Sequence, residues 1–101
     1  MSDDPPTGAG TYVLRLYVAG SSPQSTRAIT NLKAICERHL PGRYDLTVVD
    51  LYHHKEGGHA DRIVIVPTLV RRLPLPMRRL FGDLSKTARV LEDLDLPEVP
   101  Q

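Results

Sequence analysis

A strand–helix–strand pattern in the first half of the chain is the feature that most constrains its fold. Apolar and polar residues alternate over residues 11–19, which predicts a strand. Ser22 and Pro23 are typical of an N-cap and a first helical residue, and apolar side chains then recur every three or four positions until residues 41–42. A second strand is predicted over residues 44–52. Such a unit closes as a right-handed parallel crossover, so the chain belongs to the α/β class. The core face of the first strand is expected to carry Tyr12, Leu14, Leu16 and Val18.

The middle of the sequence is interrupted by prolines. Residues 63–66 form a short apolar run that is typical of a buried strand. Residues 68–73 would extend that strand only at an edge or a bulge, because Pro67 has no N–H to donate. Pro74 and Pro76 predict a stiff, extended segment.

The last third fits a helix and a strand about equally well. Ser85 resembles another N-cap, and a helix after it would align one apolar stripe, but residues 89–91 would also fit a strand. The stripe consists of Leu84, Ala88, Leu91 and Leu94. A short apolar cluster precedes it, made of Met77, Leu80 and Phe81.

Composition excludes several classes of protein. The 101 residues suffice for one domain, and 13 basic against 12 acidic residues argue against a nucleic-acid binder. No apolar run is long enough to span a membrane. A single cysteine, Cys36, cannot form an intramolecular disulfide, so a cytoplasmic location is expected.

Five segments together resemble the KaiB family. They read YVAGSSPQSTRA at 17–28, TVVD at 47–50, PTL at 67–69, LPLPMRRLFGDLS at 73–85 and RVLEDLDL at 89–96. The similarity covers residues 11–96, which predicts a disordered tail at 1–10 and a short tail at 97–101.

The resemblance implies a metamorphic, thioredoxin-like single domain. KaiB-like proteins share the βαβ N-terminal half between two folds. The C-terminal half is expected as βααβ in a ground form that self-associates into dimers or tetramers, and as αββα in a switched, thioredoxin-like monomer. Two such packings need differ by only a few kcal/mol.

The resemblance also implies a function in biological rhythms. The switched form binds the KaiC ATPase, and in cyanobacteria the complex captures KaiA and displaces the histidine kinase SasA, whose sensor domain is similar. We therefore expect a non-catalytic circadian clock adaptor that modulates the phosphorylation cycle of KaiC, with a SasA-like kinase competing for it. The alternative is a KaiB-like interaction module that acts outside timekeeping, for example in a stress response.

Candidate partner-binding and interface residues follow from matching family positions. The partner-binding candidates are Arg62, Asp50, Asp95, Arg27 and Arg78, and the subunit-interface candidate is Tyr12. A separate basic cluster consists of Arg71, Arg72, Arg78 and Arg79. Because arginine is favoured at protein interfaces, this cluster predicts a docking surface, although a solvated face would have the same composition.

No catalytic, cofactor or metal site is predicted. A thioredoxin-like redox enzyme would carry Cys-x-x-Cys at the helix start, where residues 21–24 read SSPQ. Cys36 lies on the apolar stripe of the helix and is expected to be a core residue. The spacing of His53, His54 and His59 matches no zinc pattern and favours a polar loop.

The candidate switch residues are Pro67, Pro74, Pro76, Glu92 and Asp93. Pro67 has two interpretations: slow X-Pro isomerisation that gates refolding of the second half, or a simple strand edge. Glu92 and Asp93 replace the isoleucine–glycine pair usual in the family, which favours helix over strand and predicts a weaker tetramer. Glu98 replaces an interface tyrosine, and the usual acidic C-terminal tail is missing, so a contact with KaiA is doubtful.

Overall fold

The computed structural model describes residues 11–53, 63 and 65–96. The expected tails and the candidate residue Arg62 lie outside the described residues. Described elements follow in the order β1 Tyr12–Val18, α1 Pro23–His39, β2 Tyr44–Asp50, β3 Thr68–Leu73, β4 Arg78–Phe81 and α2 Thr87–Leu94.

Helix α1 begins and ends where the sequence predicts. The Ser22 side chain accepts a hydrogen bond from the Ser25 amide at 3.2 Å, and Pro23 occupies the first turn, where its missing N–H costs nothing. After Leu40, Gly42 adopts a φ of +71°, a left-handed conformation that suits glycine and turns the chain toward β2.

The four described strands form one mixed sheet with the order β2-β1-β3-β4. Strands β1 and β2 pair in parallel and are joined through α1, which confirms the predicted crossover unit. Strand β3 runs antiparallel to β1, and β4 runs antiparallel to β3. This arrangement matches the switched, thioredoxin-like order over the described elements.

The main core lies on one face of the sheet, beneath the two helices. It includes the predicted face of β1 together with Leu32, Cys36, Leu69 and Leu94. Tyr17 on β1 and Val70 on β3 point to the opposite face, away from the predicted core-facing set, yet both are fully buried. Strict alternation therefore fails at Tyr17, because the interior strands β1 and β3 are covered on both faces there.

The third strand begins after Pro67 and not before it. The predicted strand over residues 63–66 is wrong: residues 63, 65 and 66 lie outside any strand, and Ile65 is 53% exposed. Because proline cannot donate to a ladder, pairing starts at the Pro67 carbonyl, which accepts from the Gly82 amide at 3.0 Å.

The segment with Pro74 and Pro76 connects β3 to the antiparallel strand β4, so it is a hairpin turn and not the extended linker that was expected. The peptide bonds before Pro67, Pro74 and Pro76 are all cis.

The last element is a helix, which resolves the ambiguity at residues 89–91. It begins at Thr87 and not next to Ser85, whose amide instead donates to the Asp83 carboxylate at 3.1 Å. Val90 and Leu94 are its buried residues, whereas Ala88 is exposed, so the predicted stripe was partly wrong. The apolar cluster before it was also wrong, because Leu80 alone enters the core while Met77 and Phe81 are exposed.

Candidate functional site

The candidate residues are divided between two ends of the sheet. Val18 pairs with Asp50, and Tyr17, Thr68 and Phe81 lie in register across the strands. We call this end the loop end; it comprises residues 19–22, 50–53, 65–67 and 82–83. The hairpin end comprises residues 11–12, 43–44, 73–78 and 94–95. Since β1 is a seven-residue strand, the two ends are about 20 Å apart.

The Asp50 carboxylate holds the two turns of the loop end together. One oxygen of its carboxylate accepts hydrogen bonds from the Gly20 and Tyr52 amides, both at 2.9 Å, and the other lies 3.8 Å from the ring of His53. Gly20 has a φ of +66°, and a Cβ there would meet the Tyr52 ring at 3.0 Å. The loop after β1 and the turn after β2 are thus held as one unit.

Arg27 links helix α1 to the connection between β4 and α2. Its Nε lies 3.0 Å from the Asp83 carboxylate, and the Asn31 side chain donates to the Asp83 carbonyl at 2.8 Å. Hydrogen bonds from the Ser85 side chain and from Arg27 lower the pKa of Asp83 below its usual range. The Arg27 side chain nevertheless remains 58% exposed, so it is both oriented and accessible.

Two exposed apolar side chains at the loop end were missed by the sequence analysis. Tyr52 is 72% exposed and Ile65 is 53% exposed. Both were assigned to predicted strands, where a buried or half-buried position was expected. Glycine at position 20 was the available signal, because a residue without a side chain leaves space for the Tyr52 ring. Together with Arg27, they are exposed apolar and cationic side chains of the kind that is enriched where proteins dock.

A buried arginine organises the hairpin end. Arg71 is 1% exposed, and its guanidinium donates to the carbonyls of Leu94 and, at 2.8 Å, of Pro76. Its placement in a surface cluster was wrong. The position lies on the core face of an interior strand, and the carbonyls at the hairpin and at the end of α2 offset the cost of burying its charge.

Three of the candidate residues meet around this arginine. The Asp95 carboxylate lies 3.9 Å from Arg71 and 3.7 Å from Arg78, and the Tyr12 hydroxyl donates to the Asp95 carbonyl at 3.1 Å. Asp95 has a φ of +55° and ends α2. Tyr12, Arg78 and Asp95 therefore hold the helix terminus in this arrangement, while the Asp95 side chain stays 66% exposed.

The candidate switch residues are spread over three places. Pro67 precedes β3 at the loop end, and Pro74 and Pro76 lie in the hairpin. Glu92 and Asp93 belong to α2, where the Asp93 carboxylate lies 3.4 Å from Arg89, one helical turn earlier. This i,i+4 pair supports a helix, as predicted for these two residues. A role of the five residues in switching stays a prediction.

Within the described residues, no three histidine, cysteine or acidic side chains lie close enough together to hold a metal ion. His53 belongs to the turn after β2, and His54 and His59 lie outside the described residues. Across the same part of the chain, neither helix has the length and apolar character needed to cross a membrane.

Comparison with known proteins identifies the family. The KaiB domain model matches residues 15–96. The chain belongs to the KaiB family. The circadian clock oscillator protein KaiB of Synechococcus elongatus is 48% identical over 86 residues, which cover 85% of this chain and 84% of that protein. The protein of the same name from a Nostoc species is also 48% identical over 86 residues, covering 85% and 80%.

Solved structures show the same fold at low sequence identity. The N-terminal domain of Synechococcus elongatus SasA aligns with a TM-score of 0.67 at 22% identity, covering 100% of this chain and 99% of that domain. Chloroplastic thioredoxin z aligns with a TM-score of 0.66 at 19% identity, covering 84% and 79%. The described structure of this KaiB-family chain is therefore thioredoxin-like, as expected from the sequence.

The cysteine of this KaiB-family chain is placed for packing. Cys36 is fully buried on α1, in the main core. Burial, with a smaller contribution from the charge of Glu37, raises the pKa of its thiol from 9.0 to about 12. A buried neutral thiol is a poor nucleophile, because the thiolate is the reactive form.

We expect Cys36 to resist alkylation in the folded protein. At pH 8 the raised pKa lowers the thiolate fraction about a thousandfold. Iodoacetamide labelling, followed by mass spectrometry, should be at least about a hundredfold slower than in the unfolded chain. Above pH 9.0 the thiol of the unfolded chain ionises, whereas the folded thiol keeps its proton up to its own pKa of about 12. The contribution of Cys36 to the free energy of unfolding should therefore fall as the pH rises above 9.0. Rapid labelling of the native protein would contradict the placement of Cys36.

Proposed function

We propose that this KaiB-family chain is a non-catalytic, cytoplasmic clock adaptor that docks through its loop end onto a KaiC-like ATPase. The observation that carries the proposal is the composition of that end. Where a redox enzyme of this fold would hold its cysteines, the chain has Ser21 and Gln24, and the side chains of Arg27, Tyr52 and Ile65 are exposed. The clock-protein names of the relatives support a role in timing.

The rigidity of the loop end supports docking. Its turns are held by the Asp50 carboxylate, and Arg27 is oriented by Asp83. A surface ordered before binding loses less conformational entropy when a partner arrives. Asp50 therefore acts in the proposal as a positioning residue, while Arg27 and Tyr52 touch the partner.

The remaining partner candidates extend the proposed interface. Arg78 and Asp95 lie at the hairpin end, about 20 Å from the loop end. An interface of ordinary size, about 800 Å² on each partner, spans such a distance. Arg62 lies outside the described residues and belongs to the proposed interface by its family position alone.

Competition and self-association complete the proposal. The SasA N-terminal domain has the same fold, so a SasA-like kinase would compete for the same surface of the ATPase.

The proposed ground form, with a refolded C-terminal half, would associate into dimers or tetramers through Tyr12. The hydroxyl of Tyr12 is bonded to Asp95 in the arrangement described above, so a switch would have to break that contact.

A pull-down with the cognate KaiC-like ATPase, with and without ATP, tests the proposed function. We expect the chain to be retained in at least one of the two conditions, and Arg27→Glu and Tyr52→Ala each to weaken binding by about tenfold. Lys33→Glu is the matched charge control, because Lys33 is exposed on the same helix but on another face. Absence of binding in both conditions would remove the clock-adaptor proposal and leave the interaction module outside timekeeping.

A further inference from the structure

Among the described strands, β4 forms an unpaired edge of the sheet. In the order β2-β1-β3-β4 it pairs with β3, and among the described residues nothing pairs with its other side. A groove of about 450 Å³ lies along this edge, between β4 and the start of α2. An unpaired strand edge is a ready-made acceptor for another extended segment.

The register of the hairpin shows which backbone groups face the groove. Gly82 donates to the Pro67 carbonyl, so this pair is hydrogen-bonded, and the next hydrogen-bonded pair is Leu69 with Leu80. Arg79 and Phe81 occupy the alternate positions, where N–H and C=O point away from β3. Two residues of the edge therefore present both of their backbone groups outward, with the spacing that an added strand requires.

The charge of the groove favours an acidic occupant. Arg79 and Lys86 line it without a partner among the described residues, whereas its carboxylates, Asp83 and Asp93, already lie 3.0 and 3.4 Å from arginines. Helix α2 begins beside the groove with no acidic residue in its first turn and no side-chain cap. Its amide groups add partial positive charge at the same place.

The side chains of the edge set a further requirement. Arg79 and Phe81 lie on the same face of the sheet, two residues apart, and Phe81 is 58% exposed although it is aromatic. An added strand that places a carboxylate opposite Arg79 would place the residue two positions away opposite Phe81. An apolar residue there would bury the exposed ring.

From these observations we propose that the β4 edge binds an extended acidic segment of a partner protein as a fifth strand. The segment carries glutamate or aspartate in alternation with apolar residues on the face that meets Arg79 and Phe81. This site lies along the β4 side of the sheet, at the opposite edge from β2 and Tyr52. It adjoins Arg27, which is paired with the groove residue Asp83, but it does not depend on the proposed binding to a KaiC-like ATPase.

A titration of the full-length, ¹⁵N-labelled protein with a designed peptide tests the site. The probe is a ten-residue peptide that alternates threonine with glutamate and valine; its control carries lysine in place of glutamate. We expect the glutamate peptide to shift the amide signals of Arg79, Phe81 and Lys86 and to protect the Arg79 and Phe81 amides from hydrogen exchange. The lysine peptide should leave these signals unchanged.

Two variants separate strand addition from simple charge attraction. Arg79→Glu combined with Lys86→Glu should weaken peptide binding about tenfold, whereas Lys33→Glu combined with Arg38→Glu, with the same change in net charge, should not. Phe81→Pro removes an outward N–H, which an edge strand tolerates, and should abolish the exchange protection. The proposal would be overturned if both peptides bound equally, if the shifts were confined to β2, or if neither peptide bound. Absence of binding by either peptide would show that Arg79 only keeps the β4 edge from pairing with other strands.

Discussion

Replacing Arg71 with methionine is expected to lower the free energy of unfolding by about 2–4 kcal/mol. Methionine fills a similar volume, so the loss comes from the buried carbonyl of Leu94 and the part-buried carbonyl of Pro76, which would both lose their donor. Asp95 would also lose the nearby charge of Arg71, while Arg78 would remain. Nothing in the described part of the chain bonds to the buried Nε of Arg71, and removing that unpaired group offsets part of the loss.

Urea unfolding followed by circular dichroism measures the effect, and Arg79→Met provides the matched control. Arg79 is an exposed residue on the neighbouring strand, so the same substitution there should change stability by no more than about 0.5 kcal/mol. Amide hydrogen exchange should show that protection in α2 falls first in Arg71→Met, since the arginine holds the end of that helix. Equal stability of the two variants would show that the buried guanidinium contributes nothing to the fold.

Restoring the usual family residues through Glu92→Ile and Asp93→Gly is expected to shift the chain toward a self-associated form. Glycine weakens the helix by a few tenths of a kcal/mol relative to aspartate and removes the ion pair with Arg89, at about 0.3–0.5 kcal/mol. Isoleucine at an exposed helix position gains nothing there but favours a strand. Together these changes disfavour the described arrangement by about 1 kcal/mol, which is about fivefold in population.

Size-exclusion chromatography with light scattering at micromolar concentration tests this expectation. The unmodified chain should elute mainly as a monomer or a weak oligomer, and the double variant should show a larger tetramer fraction. Asp93→Ala is the control, because it removes the same ion pair while keeping a strong helix former. A tight tetramer of the unmodified chain, or a double variant that elutes unchanged, would contradict the assigned role of these two residues.

The sequence predicted the first half of the fold more fully than the second. Ser22, Pro23 and Gly42 determine the ends of α1 through contacts with their immediate neighbours, so local rules suffice there. In the second half, Thr87–Leu94 fits a helix and a strand by pattern, and the burial of Val90 and Leu94 against the sheet favours the helix. The start of β3 after Pro67 likewise depends on which strand pairs with it.

The residues of the candidate site could likewise be predicted from the sequence only in part. Matching family positions identified Arg27, Asp50 and Asp95 as residues of interest, but not that they belong to two separate ends of the sheet. Tyr52 was missed, because β2 ends at Asp50 and leaves Tyr52 in the turn that follows, whereas the sequence pattern continued the strand through it.

The sequence by itself determined the family, the βαβ unit and the absence of a Cys-x-x-Cys motif, because each depends on residue types at fixed spacing. Only the tertiary structure decided that Arg71 is buried, that the Asp50 carboxylate holds two loops together and that β4 is an unpaired edge among the described strands. An arginine in a strand of mixed pattern is expected to be exposed. It is buried here because a carbonyl of the adjoining hairpin and a carbonyl at the end of α2 converge on it, and that convergence exists only after the chain has folded.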